Sequence, residues 1–180
     1  MSAKTTELVI YIADQLKDNP NYGATSLNKA LYYTDLMQYL TSGTTISDLQ
    51  YVHQDQGPTP EPARFLQLLQ LLRDNGDIEI SEVLFFNYKQ KKILAKRPPN
   101  IAVFEKEEIV LINDVIKKMG DLSARKVSDQ THELLAWKLS EKMEVLPNYT
   151  FLLTSKEPEM SDYEWAQRAW DSYNLKKSNL

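Results

Sequence analysis

The two histidines, His53 and His132, are the natural starting point for chemistry at neutral pH. His132-Glu133 opens like the zinc motif HExxH, but position 136 is Ala, so the second ligand is missing. A catalytic zinc usually takes three protein ligands, and two distant histidines with no Cys do not supply them. The absence of Cys also excludes disulfide scaffolds, thiolate zinc sites, iron–sulfur clusters and cysteine nucleophiles. Ser123, Ser128 and His132 lie close in sequence, with Asp121 or Asp129 able to orient an imidazole, but no Gly-x-Ser-x-Gly string accompanies them. The preferred reading makes Ser123 a helix N-cap and His132 a helix-terminal side chain bonded to backbone. The five glycines are too dispersed for a P-loop or a dinucleotide turn. Glu107-Glu108 and Glu157 with Glu159 are carboxylate pairs at helix starts or in polar loops, where solvated surface charge is expected rather than acid–base work.

Lys89, Lys91, Lys92, Lys96 and Arg97 crowd one stretch beside Tyr88. Such a hairpin can grip nucleic-acid backbone, serve as an edge protected from aggregation by lysines, or steer an acidic protein partner. The protected edge is preferred, and Tyr88, Lys91 and Lys92 remain candidate partner contacts. The overall balance of 21 Lys and Arg against 25 Asp and Glu, net charge -4, disfavours nucleic acid as the partner. Tyr outnumbers Phe ten to five, and tyrosines suit surfaces that are buried yet meet water or a partner. With no catalytic constellation, the residues favour a binding protein without cofactor or metal.

The elements that must position these residues fit one domain of 180 residues with an appendage. An apolar fraction of 42% against 26% charged is that of an ordinary globular chain. Apolar runs fall far short of the ~20 residues of a membrane span, and Met1–Glu7 lacks a secretory pattern, so a cytoplasmic location is expected. Leu8, Tyr11, Ile12 and Leu16 predict a first helix. A second, capped by Ser26 and running to about Thr41, is apolar over most of its circumference and is expected at the centre. A strand is expected near Leu49–His53, and a third helix capped by Thr59 carries Phe65, Leu68, Leu69 and Leu72 until Asn75-Gly76 stops it. Short β-branched runs at 78–80, 83–88, 93–95 and 101–104 predict a small antiparallel sheet, with Lys89–Lys92 as its hairpin turn. Helices are expected again from Glu105 to Gly120, after Ser123, and from about Thr131 to Glu141. The expected fold is α+β, mostly α-helical, a helical core with a small antiparallel β-sheet inserted between helices. Residues 1–145 form the expected domain. Residues 146–180 are an extension whose helix, opened by a capping box at Ser161-Asp162-Tyr163-Glu164, packs on the same domain.

Three stretches carry a family resemblance. Leu27-Asn28-Lys29-Ala30-Leu31-Tyr32-Tyr33 resembles the Leu-x-Lys-Leu-Leu-Tyr-Tyr start of the Panacea domain, the SocA-like or GepA-like antitoxin domain. Gly57-Pro58 followed by Pro60 resembles its Tyr-Gly-Pro-Val-x-Pro turn, with Gln56 in place of the aromatic and Thr59 in place of valine. The segment from Gly120 through Leu122-Ser123 to Thr131-His132, with Trp137, is similar to its Leu-Ser-x(n)-Thr-His-x(4)-Trp signature. Order and spacing match over about residues 26 to 138. The resemblance implies an antitoxin module that neutralises a cognate toxin by direct contact, with delivery to an AAA+ protease as an alternative. It implies structural roles for Leu27, Tyr32, Tyr33, Ser123, Thr131, His132 and Trp137. It also implies an exposed loop at Gly57 and Pro58 suited to partner contact.

Overall fold

The structure is a computed structural model that describes residues 1–85, 88–120, 122–154 and 159–178. It is α+β and mostly helical, with two small antiparallel sheets. Helix α1 (Ala3–Leu16) begins at Ser2, whose hydroxyl accepts from the Thr5 amide. Leu8, Val9, Ile10, Ile12 and Ala13 are fully buried, so α1 is enclosed on nearly every side by α2 (Ala24–Ser42), by α4 (Lys106–Gly120) and by the β-hairpin. The centre of the molecule is therefore shared. α2 buries Leu27, Ala30, Leu31 and Tyr32, but its last turns carry Met37 and Leu40 into solvent. Gly43, with φ of 72°, closes α2 in the left-handed conformation open to glycine.

Strands β1 (Tyr51–Val52), β2 (Thr59–Pro60) and β5 (Val145–Leu146) form one sheet in the order β2-β1-β5, with Tyr51 opposite both Pro60 and Leu146. Helix α3 (Pro62–Asp74) follows β2. The second sheet is the hairpin β3 (Ile78–Phe85) and β4 (Tyr88–Ala95), in which Glu82 faces Lys91 and Ser81 faces Lys92. Helices α5 (Ala124–His132) and α6 (Leu135–Lys138) come after α4. A 3-10 turn at Asn148–Leu152 leads toward the last helix, α7 (Met160–Ser178). Phe151 from that turn packs edge-on against Tyr32 and Tyr39 at ring separations of 5.3 and 5.7 Å. The start of the extension thus joins the core. Among the described residues no helix is long and apolar enough to cross a membrane.

Several local expectations are corrected. Lys89–Lys92 do not turn the hairpin; they lie within β4, where Leu84, Glu82 and Ser81 pair across to Lys89, Lys91 and Lys92. Residues 101–104 are not a strand. Ile101–Val103 is a 3-10 turn, and the Asn100 side chain accepts from the Ala102 amide to start it. The cap of α2 is Gly23, and the Ser26 hydroxyl instead donates to the Asn21 carbonyl. The cap of α3 is Glu61, whose carboxylate takes the Ala63 and Arg64 amides, while Thr59 is paired in β2. At α7 the capping carboxylate is Asp162, which accepts from the Glu159 amide, so the helix starts ahead of Ser161.

Candidate functional site

Lys29 sits in an otherwise apolar run of α2 and is 1% exposed. Its Nζ donates to the Pro58 carbonyl at 2.9 Å. Burial lowers its pKa to about 7, so near neutrality the amine is poised between charged and neutral forms, and either can donate to that carbonyl. The Pro58 carbonyl lies in the loop joining β1 to β2, where Gly57 has φ of 93°. A Cβ on Gly57 would collide with Thr131 Oγ1 and come within 2.7 Å of Lys29 Nζ. Glycine is needed here twice, for the backbone angle and for the space. Thr131 is fully buried and donates its hydroxyl to the Ser128 carbonyl at 2.8 Å. Residues from α2, the β1–β2 loop and the end of α5 thereby meet at one point.

One residue beyond Thr131, His132 stacks on Trp137 with centroids 4.1 Å apart and planes 18° from parallel. His53, the residue after β1, stacks on the same indole at 4.5 Å and 24°. Two imidazoles have no room side by side on one indole face at those separations, so the three rings form a sandwich with Trp137 in the middle. Trp137 Nε1 donates to the Gln54 carbonyl at 3.0 Å, which pins the indole to the loop that holds Gly57. His53 Nδ1 pairs with Ser140 Oγ at 3.0 Å. His132 Nε2 is buried without a hydrogen-bond partner. Both histidines of the chain are thus spent on one tryptophan.

A second buried polar centre lies on α2. Asp35 accepts from the amides of Ile46 and Ser47 at 3.0 and 2.8 Å and from Tyr51 Oη at 2.7 Å, and the Ser47 hydroxyl also donates to it. Burial raises its pKa to about 6, with these donors pulling against the rise. It staples the chain after α2 to the helix. Tyr32 beneath it packs edge-on to Tyr51 and Tyr33, at 5.1 and 5.9 Å.

The structure brings Thr131, His132 and Trp137 together with Gly57 and Pro58, and it buries Leu27 and Tyr32 beside them in the core. Tyr33 is half-buried. Gly57 and Pro58 are buried, which corrects the expectation of an exposed loop; the exposed tip is Asp55-Gln56. Ser123 caps α5, accepting from the Lys126 amide at 3.3 Å, and so is committed to the helix rather than to a nucleophile's role. Asp121 and Glu157 lie outside the described residues. Glu108 is not a solvated surface carboxylate: it is 8% exposed, takes Lys4 in a two-pronged ion pair at 2.7 and 2.8 Å and accepts from the Glu105 amide.

The basic cluster is apart from this corner and largely neutralised. Arg97 grips Glu7 through both terminal nitrogens at 2.9 and 2.7 Å and reaches Asp77 at 2.6 Å. Burial pushes the Glu7 carboxyl up, but the Arg97 and Asn100 hydrogen bonds and the Arg97 charge bring it below its usual range. Lys96 pairs with Glu79 at 3.0 Å and Lys89 with Glu82 at 3.7 Å. Lys91 is exposed and Lys92 half-buried; the side chain of Tyr88 lies outside the described residues.

Lys29 and Asp35 escaped sequence reasoning as functional positions, and so did the pairing of His53 with Trp137. The available signal for Lys29 was a lone cation flanked by Leu27, Ala30 and Leu31 within a helix apolar all round. Such a cation must find a partner inside.

The corner unites the same three stretches that a family would have to share, and the model of one family, described as antitoxin SocA-like, Panacea domain, matches residues 27–138. The chain belongs to the SocA-like Panacea antitoxin family. The matched span opens at Leu27, two residues before Lys29, and ends one residue past Trp137. No curated protein and no solved structure matches the chain. In this Panacea domain a buried lysine, a glycine without room for a side chain and a histidine–tryptophan–histidine stack, which adds His53 from outside the signature stretches, are joints of the fold.

Proposed function

We propose that the chain acts as a non-enzymatic antitoxin that neutralises a cognate toxin by direct protein–protein contact. Membership of the SocA-like antitoxin family supports the antitoxin role. The observation that carries the mechanism is the sandwich on Trp137. It takes up both histidines of the chain in packing, and the hydroxyl that His53 meets, Ser140 Oγ, donates its own proton to the Trp137 carbonyl at 3.1 Å rather than to the imidazole. The signature residues build a rigid frame, and recognition falls to the surface that the frame presents. The paired state of Lys89, Lys96 and Arg97 supports a protein rather than a nucleic acid as the partner.

The test is growth rescue. A neighbouring reading frame that is lethal alone should be harmless when this chain is co-expressed, with the two proteins recovered as a complex. If no adjacent gene is lethal alone and made harmless by this chain, the antitoxin reading is removed. A toxin whose half-life shortens in the presence of this chain would instead make it an adaptor for an AAA+ protease.

A further inference from the structure

Helix α7 carries an exposed aromatic seam. Tyr163, Ala166 and Trp170 follow one another at spacings of three and four residues, and Tyr173 continues the pattern in the sequence. That is the repeat that two helices bury against each other in a coiled coil. Tyr163 and Trp170 are each 61% exposed, and Met160 is 74% exposed. Trp165, off the seam, is half-buried, and every other described side chain from Met160 to Asp171 is exposed. Among the described residues no other element packs along α7, and none of its residues lines the apolar trough between α2 and α4. Helices in proteins draw most of their stability from packing one face, so α7 holds in solvent the face it is patterned to cover.

The charges of α7 point to what covers it. Its sequence holds three acids and three bases, and they are sorted along it. Asp162 and Glu164 stand near the start, Lys176 and Lys177 at the end, and Arg168 and Asp171 between. Such a helix is complementary to itself turned end for end. We infer that α7 pairs antiparallel with α7 of a second copy of this chain. In the register that aligns the two seams, Tyr163 stands opposite the position of Tyr173 in the other copy. Ala166 stands opposite Trp170, the smallest seam residue against the largest. Asp162 and Lys176 are two heptads apart and so flank the seam on one side, which sets each Asp162 beside the other copy's Lys176, twice by symmetry. A parallel pair would set Asp162 beside Gln167 and bring the two acidic starts together. The family match ends at residue 138, so the pairing belongs to this chain's extension and stands apart from the antitoxin reading.

The test is sedimentation equilibrium of the full chain at concentrations from about 1 to about 300 μM, the range suited to a short seam. A reversible monomer–dimer equilibrium is expected. Trp170→Ser and Lys176→Glu should each weaken it at least ten-fold with Tm unchanged, and Arg168→Gln, on the side of α7 away from the seam, should leave it as it is. Orientation is read by crosslinking, since the chain has no Cys of its own. Tyr163→Cys mixed with Tyr173→Cys should form a disulfide-linked pair in oxidised glutathione, and neither variant should link to itself. A monomer at every concentration, a dimer indifferent to Trp170→Ser, or self-linking of either Cys variant would each overturn the inference. So would a dimer that Val110→Asp dissolves, which would seat α7 in the trough of the other copy instead.

Discussion

Lys29 Nζ and the Pro58 carbonyl oxygen lie 2.9 Å apart in the interior, joining the second helix to the loop between the first two strands. A buried amine is costly to keep charged, so this contact makes stability depend on pH. The unfolded lysine titrates near its ordinary value of 10.5 and the folded one at about 7. Between these values the unfolded chain holds one proton more than the folded one, so stability rises with pH through that window. It is lost as pH falls toward 7.

The difference in unfolding free energy between the parent chain and Lys29→Met should therefore grow in the parent's favour by about 2 kcal/mol between pH 7.5 and 9.5. Urea melts of both proteins at the two pH values measure it. A difference independent of pH would show that Lys29 titrates normally.

Gly57→Ala should destabilise the chain by about 2–3 kcal/mol. It combines a disfavoured backbone angle with collision against Thr131 Oγ1 and Lys29 Nζ. Adding Thr131→Ser, which keeps the hydroxyl and removes only the methyl, should recover little, since the hydroxyl oxygen is the nearest obstacle. Thermal melts of the single and double variants decide this.

The stack on Trp137 predicts that ring shape, and not imidazole chemistry, is what position 132 requires. His132→Ala should cost about 1 kcal/mol, and His132→Phe should restore most of it. Because His132 Nε2 has no hydrogen-bond partner, its replacement by carbon leaves no acceptor or donor stranded elsewhere. Chemical denaturation, read alongside growth rescue, checks both. A His132→Phe chain that folds well and fails to neutralise would point to a chemical role for the imidazole.

Arg97→Met should cost about 2–3 kcal/mol, because it strands the largely buried Glu7 and frees the base of the hairpin from α1. The loss should be smaller at pH 3, where Glu7 is protonated in the variant. Equal losses at pH 3 and 7 would mean that the arginine acts through packing alone.

The positions of helices were legible because their stripes and stops are local: α2 ends at Ser42, beside the expected Thr41, and Gly76 follows α3 at the expected Asn75-Gly76 stop. The signature residues were legible through resemblance, but their contacts were not. Thr131 meets Gly57, and Trp137 meets His53, across long stretches of intervening chain, and no periodicity encodes such meetings. Strand β5 was invisible for a related reason: two residues paired with Tyr51 and Val52 leave no alternating pattern of their own. The hairpin turn was misplaced because four polar residues at 89–92 read locally as a turn, while pairing with Ser81 to Leu84 across the ladder makes them a strand.

On the proposed antitoxin function, this Panacea domain holds another polypeptide and leaves it chemically unchanged. Native mass spectrometry of the chain mixed with its cognate toxin tests it most directly. The account predicts a non-covalent complex whose mass is the sum of the two intact chains and which falls apart to unmodified components on activation. Neutralised toxin carrying a mass change, or neutralisation with no complex at any concentration, would contradict it.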